Sequence, residues 1–210
     1  MIRIIAYIDG FNLYHAIDNL DDNRLKWFDI KSALTEFIDP ILHEFCEIKY
    51  FTALSNHLAK PIQHRQNSYL VGLASTGIKV ITGKFRKRKR FCRAECKQEF
   101  IYHEEKETDV QIAVNIVDDA HMDKFDMAFI VSQDSDLFPA IRTVKKRCPD
   151  KIIRIITPPH LKHSNEMSRI VGGQKNLKSF KKHHLEFHQL PDEINHNGKT
   201  VKRPKKYRKK

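Results

Sequence analysis

The sequence contains no apolar run approaching the roughly 18 residues that a membrane-spanning helix needs. Residues 1–5 lead directly into a predicted strand, without the basic, apolar and small-residue regions of a secretory signal. We therefore expect a cytoplasmic protein with no membrane partner. The chain has 210 residues, 40% of them hydrophobic, which is enough for one substantial core, and a single domain is expected.

Cysteine is scarce, with four residues in the chain. Cys46 and Cys148 lie in or beside apolar segments, so we expect buried thiols in a reducing compartment. Cys92 and Cys96, with His103 farther on, could clip a structural Zn²⁺ ion. This zinc site is a minor hypothesis, because the sequence shows neither a clear fourth ligand nor a second cysteine pair.

Acidic residues are absent from residues 199–210, which contain eight basic residues; without these eight, the net charge of +12 falls to about +4. A second basic run comprises Lys84, Arg86, Lys87, Arg88, Lys89, Arg90 and Arg93. Such runs attract polyanions by counterion release, which favours nucleic acid as the partner. The alternatives are a solvated loop and tail, or docking on anionic lipid or acidic protein.

Apolar segments alternate with amphipathic ones along the chain. Strands are predicted at residues 3–8, 44–53, 77–82, 100–102, 126–131, 151–156 and 185–190. Helices are predicted at 11–19, 29–37, 61–75, 136–146, from Thr108 onward, and in parts of 160–180. This order indicates an α/β fold, a Rossmann-like three-layer sandwich with a mostly parallel central sheet. We assign it to residues 1–195, with a basic cysteine-containing insertion near 84–104 and a disordered basic tail at 196–210.

Four aspartates are predicted at one edge of this sheet. Asp9 closes the first strand, Asp134 and Asp136 follow a later strand, and Asp109 opens the helix that begins near Thr108. Ligands of parallel sheets bind beyond the carboxyl ends of the strands, so these carboxylates should converge. A hard cation such as Mg²⁺ or Mn²⁺ would offset their repulsion and support hydrolysis of a phosphodiester.

Each acid also has a structural interpretation. Asp9 could be a turn residue before Gly10, and Asp109 could be a carboxylate favoured by the dipole of its helix. Asp134 and Asp136 could cap the helix that follows them. The combination of acids at two strand ends and one helix start favours a functional site over these separate explanations.

Three short strings resemble the NYN domain, in particular its LabA-like branch, within the PIN-like ribonuclease superfamily. They are Ile8-Asp9-Gly10-Phe11-Asn12, Lys106-Glu107-Thr108-Asp109-Val110 and Ser132-Gln133-Asp134-Ser135-Asp136-Leu137, and their order and spacing match across roughly residues 3–157. The ending Leu190-Pro191-Asp192 also looks like members of this branch.

The resemblance implies a PIN-like fold and divalent-metal cleavage of RNA, with Asp9, Asp109, Asp134 and Asp136 in the metal site. Asn12 would help to orient metal or phosphate, and Ser132 would support the site through its hydroxyl. The family often has glycine where this chain has Glu107, and glycine again where it has Gln133. Neither departure removes a carboxylate.

Several residues other than the four aspartates also have an expected role. The segment 86–93 would guide the RNA backbone, with Phe85 and Phe91 as stacking surfaces. Lys106 would either hold the scissile phosphate or pair with a neighbouring glutamate. Tyr7 and Phe11 are expected to pack in the core. DNA is disfavoured as the substrate only by the family resemblance.

The leading hypothesis is a metal-dependent endoribonuclease. One alternative is a non-catalytic RNA-binding regulatory module on the same fold. Another is a phosphatase or phosphotransferase using Asp134 and Asp136, although such enzymes usually carry this acid pair on their first strand. The sequence leaves open the RNA target, the number of metal ions and whether the protein forms homo-oligomers.

Overall fold

The computed structural model describes residues 1–91 and 98–208, and its centre is one seven-stranded sheet. The strands are β1 (Ile2–Asp9), β2 (His43–Ala53), β3 (Lys79–Phe91), β4 (Glu99–Lys106), β5 (Met127–Val131), β6 (Ile152–Thr157) and β7 (Leu177–Ser179). Their order is β4-β3-β2-β1-β5-β6-β7, and every neighbouring pair is parallel except β3 and β4. The predicted mostly parallel α/β fold is therefore confirmed.

Helices cover both faces of the sheet. They are α1 (Gly10–Asp18), α2 (Ile30–Leu34), α3 (Lys60–Ser75), α4 (Thr108–His121), α5 (Phe138–Arg147), α6 (Asn165–Val171) and α7 (Lys182–Phe187). One core contains side chains of α1, α2, α3 and α7, and the opposite core contains those of α4, α5 and α6. Among the residues that the structure describes, no helix is both long and apolar enough to cross a membrane.

Strand β1 is buried along most of its length, as the continuous apolar run at its start predicts. Ile4, Ile5, Ala6, Tyr7 and Ile8 are all buried, because β1 pairs with β2 on one side and β5 on the other while helices cover both faces. Tyr7 thus packs in the core as expected. Successive residues of β1 belong alternately to the two cores on opposite faces of the sheet, so β1 packs against both outer layers of helices.

The segment predicted as a basic insertion continues the sheet instead. β3 extends from the predicted strand through the basic run and pairs antiparallel with β4, from Lys84 opposite Lys106 to Phe91 opposite Glu99. Strand β2 meets β3 only from Lys49 onward, so its first half has one pairing partner. Cys46 lies in that half and is exposed, which makes the prediction of a buried thiol wrong.

The C-terminal predictions were wrong in two places. The first three residues of the strand predicted at 185–190 belong to helix α7, in which Leu185 is buried and Phe187 is exposed, and the last three contain only an isolated bridge at Gln189. The tail from residue 196 to residue 208 is ordered, and its first part belongs to a hairpin of β8 (Glu193–His196) and β9 (Lys199–Lys202). Apolar contacts hold it, because Ile194 and Tyr207 pack with Trp27 and Leu190 in a third, smaller core.

A buried ion pair fastens α4 to the sheet. Lys49 on β2 is 3% exposed and Asp119 on α4 is 1% exposed. The Lys49 ammonium donates to the Asp119 carboxylate, which also accepts from the Tyr7 hydroxyl at 2.8 Å and from Lys124 at 2.9 Å. Removing one partner of such a pair leaves the other charge buried without compensation, which costs far more than losing a surface pair.

We predict that Lys49→Met lowers the free energy of unfolding by roughly 3 kcal/mol, because Asp119 loses its buried cation. Lys79→Met is the matched control, since Lys79 also pairs with a carboxylate of Glu47 but is 61% exposed. Urea unfolding of both variants measures the difference. Equal stability of the two variants would show that the buried pair does not hold α4.

Candidate active site

The parallel pairing of β1 and β5 brings three predicted acids together. Ile8 is in register with Val131, so Asp9 at the end of β1 lies beside the loop that follows β5 and carries Asp134. Asp109 enters from the first turn of α4. One carboxylate oxygen from each of Asp9, Asp109 and Asp134 lies within 4.8 Å of the other two.

Hydrogen bonds hold two of these acids in place. Asp9 Oδ1 accepts from the Asn12 N–H at 3.0 Å, and its Oδ2 accepts from the Ser132 hydroxyl, also at 3.0 Å. The Ser132 oxygen in turn accepts from the Asp134 N–H at 3.0 Å. Asp134 Oδ1 accepts from the Asp136 N–H at 2.8 Å and caps the short helix that follows. Asp9 and Asp134 thus have capping roles while facing the same site.

The clustered charges disfavour ionisation. Burial, followed by the charges of Asp9 and Asp134, raises the pKa of Asp109 to about 6. Burial also raises the pKa of Asp9, against the lowering effect of its hydrogen bonds from Asn12 and Ser132. Three hard oxygen donors with excess negative charge match what Mg²⁺ or Mn²⁺ binds, so these residues fit the implied cation.

The remaining predicted site residues lie around this trio. Asp136 is exposed and outside it, although its charge contributes to the raised pKa of Asp109. Asn12 Oδ1 accepts from the Gln133 N–H at 3.0 Å, so this amide links α1 to the loop after β5. Gln133 Nε2 donates to the Lys162 carbonyl at 2.6 Å and ties that loop to the one after β6.

Glu105 is a site residue that the sequence patterns did not indicate. Its carboxylate accepts from the Thr108 N–H at 3.2 Å and from the Thr108 hydroxyl, and its charge also raises the pKa of Asp109. Thr108 is the first residue of α4, as predicted, and Glu105 supplies the oxygen that accepts from its N–H. Glu105 would have been recognisable only as an acid three residues before a helix start.

The backbone at Glu107 is left-handed, with φ of +81°. Non-glycine residues are disfavoured in this conformation by roughly 1–2 kcal/mol. Glycine, which the resemblance described above leads one to expect at this position, adopts such a conformation without this cost. The turn at Glu107 aims the first residues of α4, including Asp109, at the end of β1.

The predicted nucleic-acid-binding residues lie mainly on the outer half of β3. Those with exposed side chains are Lys84, Arg86, Lys87, Arg88 and Lys89. Glutamates of β4 neutralise part of this charge, because Glu104 contacts Lys106 at 2.9 Å and Arg88 at 3.5 Å. Lys106 therefore pairs with a neighbouring glutamate, as the second of its two predicted roles expects.

Some of the sequence predictions fall on parts of the chain that the structure does not describe. Cys92, Cys96 and Arg93 lie outside the described residues, as does the side chain of Arg90. The third proposed zinc ligand, His103, is described, and its ring stacks on that of His57 at a centroid distance of 4.1 Å. Zinc binding stays a prediction.

A cavity of roughly 490 Å³ adjoins the acids, and we call it the aromatic cavity. Its rings come from distant parts of the chain: Phe11, Tyr14, His15, His57, Phe85, His103 and Tyr207 all line it. Phe11 is half-buried there and not in the core, which corrects the expectation for that residue. Phe11, His15 and Glu105 line both this cavity and the groove that contains the acids.

Comparison with known proteins identifies one matching family. Residues 3–168 match the family model of the NYN domain, which leaves the LabA-like branch a prediction. The chain is 26% identical over 189 residues to 6-hydroxy-3-succinoylpyridine 3-monooxygenase from Pseudomonas putida. This match covers 75% of the chain but spans only 60% of the length of that curated relative.

A solved structure with a similar fold supports this architecture. A protein of unknown function from Vibrio parahaemolyticus superimposes with a TM-score of 0.56 at 18% identity. The superposition covers 86% of this chain and 94% of the Vibrio protein. At this identity the likeness supports the architecture alone.

We predict that Asp109→Asn stabilises the metal-free protein at neutral pH. In the folded state the pKa of Asp109 is raised from 3.8 to about 6, so stability falls as pH rises through this window and stays low above it. The amide removes this loss, and Tm should rise by roughly 2–4 °C for each kcal/mol regained. Thermal unfolding in EDTA measures the change.

Asp118→Asn, on the exposed face of the same helix, is the control and should leave Tm nearly unchanged. Below the ordinary carboxyl pKa, the advantage of Asp109→Asn over the wild type should disappear. Adding Mg²⁺ or Mn²⁺ should raise the Tm of the wild type more than that of the variant. A lower Tm for Asp109→Asn in EDTA would contradict the proposed charge repulsion.

Glu107→Gly should leave the free energy of unfolding unchanged or raise it by up to about 1 kcal/mol, because glycine adopts positive φ without strain. Glu104→Gly on the extended strand β4 is the control and should be destabilising. Chemical denaturation distinguishes the two variants. A comparable loss in both would mean that the left-handed turn at residue 107 is not strained.

Proposed function

Because this chain belongs to the NYN domain family, we propose that it is a divalent-metal-dependent ribonuclease that hydrolyses RNA phosphodiester bonds. The observation that carries the proposal is the convergence of Asp9, Asp109 and Asp134, whose carboxylate oxygens lie within 4.8 Å of one another. A purely structural trio would be unfavourable, since burial and mutual repulsion raise the pKa of both Asp9 and Asp109.

Asp9, Asp109 and Asp134 would hold the cation. When bound, Mg²⁺ or Mn²⁺ supplies Lewis acidity towards phosphate oxygens and towards attacking water. Ser132 positions the site, because its hydroxyl donates to Asp9 and accepts from the backbone of Asp134. Asn12 acts through its link to the Gln133 backbone, and Asp136 adds negative charge at the solvent side.

The basic half of β3 would guide the RNA backbone. Its exposed lysines and arginines continue from the strand whose Phe85 lines the aromatic cavity beside the acids. Cations on an exposed strand bind phosphates through counterion release and carry no sequence information of their own. We assign RNA over DNA from family membership, because phosphate contacts do not separate the two.

We predict that wild-type protein cleaves a mixed pool of single-stranded and hairpin RNA with Mg²⁺ or Mn²⁺ and not with EDTA. Asp9→Asn and Asp134→Asn should each lower the cleavage rate by about 100-fold or more, because each removes a carboxylate ligand of the cation. Gel analysis of the products measures the rates, and circular dichroism checks that both variants stay folded.

Asp150→Asn is the control and should cleave at the wild-type rate, because Asp150 is an exposed acid just before the start of β6, at the opposite edge of the parallel sheet from the acids. Wild-type cleavage by Asp9→Asn or Asp134→Asn would overturn the site assignment. Tight RNA binding without cleavage in either metal would replace the nuclease by a non-catalytic RNA-binding module on the same fold.

A further inference from the structure

We propose that the aromatic cavity receives an unpaired nucleobase of the RNA strand whose backbone lies at the acids. This inference rests on the proposed ribonuclease function and assigns its substrate class as single-stranded RNA. Three observations support it: the arrangement of the rings, the continuity of the cavity with the acids, and the charges around it.

The rings form a connected array. His57 stacks on His103 with 4.1 Å between centroids and 11° between planes. The edge of Phe85 meets His57 at 4.5 Å and Phe11 at 5.9 Å, so the array reaches α1. Flat π surfaces bind bases by stacking regardless of sequence, which suits a site that orients any base beside the cleaved bond.

The cavity and the acid groove share a wall. Phe11, His15 and Glu105 line both. A phosphate bound at the acids would therefore place the base of its own nucleotide, or of the adjacent one, at the mouth of the cavity. No such continuity would be needed for a cavity that only binds an apolar side chain.

The charges around the cavity favour a ring that is joined to an anion. Arg65 lines the wall beside Tyr207, and Lys87 is the cross-strand partner of His103. A volume of roughly 490 Å³ lies within the range of ligand-binding pockets. A base can enter such a pocket only when it is not paired with another strand, and single strands are therefore preferred to duplexes.

The test measures binding separately from cleavage, in an Asp134→Asn background. Short single-stranded RNAs carry 2-aminopurine, or an abasic site, at successive positions, and a duplex of the same sequence is compared. We expect quenching of 2-aminopurine at one position, where the abasic RNA binds about tenfold more weakly. The duplex should bind with lower affinity than the single strand and without quenching.

Two further variants connect this effect to the cavity. Phe85→Leu and His57→Ala should each bind intact RNA about as weakly as the abasic RNA, and should no longer distinguish the two. His57 is exposed, so its variant keeps the test decisive if Phe85→Leu fails to fold. The control is Phe187→Leu, an aromatic that is 78% exposed on α7 and should show no change.

Equal binding of abasic and intact RNA at every position would overturn the proposal, as would full discrimination by both cavity variants. Tight binding of a hydroxypyridine carboxylate that RNA does not displace would overturn it in favour of a small-molecule pocket. Base discrimination in Asp134→Asn, together with no cleavage by the wild type in either metal, would remove the nuclease function and keep the base-binding cavity.

Discussion

The candidate site depends on one constraint, the position of β1 between β2 and β5 in a parallel sheet. The chain passes from β1 to β2 on one side and later returns to β5 on the other, and ligands bind where such connections diverge. Asp9 ends β1 at this point. Gly10 begins α1 there because a Cβ atom would lie 2.6 Å from the Phe51 carbonyl oxygen, so only glycine lets α1 start this close to β2.

Helix α4 carries two aspartates, Asp109 and Asp119, whose charges have different consequences. Near its C-terminal end, the buried cation of Lys49 and the hydroxyl of Tyr7 satisfy Asp119. At its N-terminal end, Asp109 faces other carboxylates and is hard to ionise. The first interaction fixes the helix on the sheet, and that rigidity holds Asp109 against the repulsion at the other end. The stable ion pair near one end of α4 thereby allows the mutually repelling carboxylates at its other end to stay close together.

Local patterns predicted what depends on local chemistry. The apolar run of β1 and the acids after β1 and β5 follow from strand burial and parallel pairing. The aromatic cavity could not be predicted, because His57, Phe85 and Tyr207 are far apart in sequence and meet only through the fold. The ordered tail was missed because Ile194 and Tyr207, which anchor it, are isolated among polar residues.

The ordered tail changes how the charge of the protein is distributed. Sequence alone shows two remote basic runs, one in β3 and one after residue 198. In the structure, Phe85 from the first run and Tyr207 from the second line the same aromatic cavity, while Lys205 and Lys206 are exposed beside Tyr207. Positive charge therefore flanks the cavity from two sides, and the acids lie next to it. Under the proposed function, such a field would concentrate a polyanion at the opening, where the clustered carboxylates would repel its phosphates unless a bound cation neutralised them.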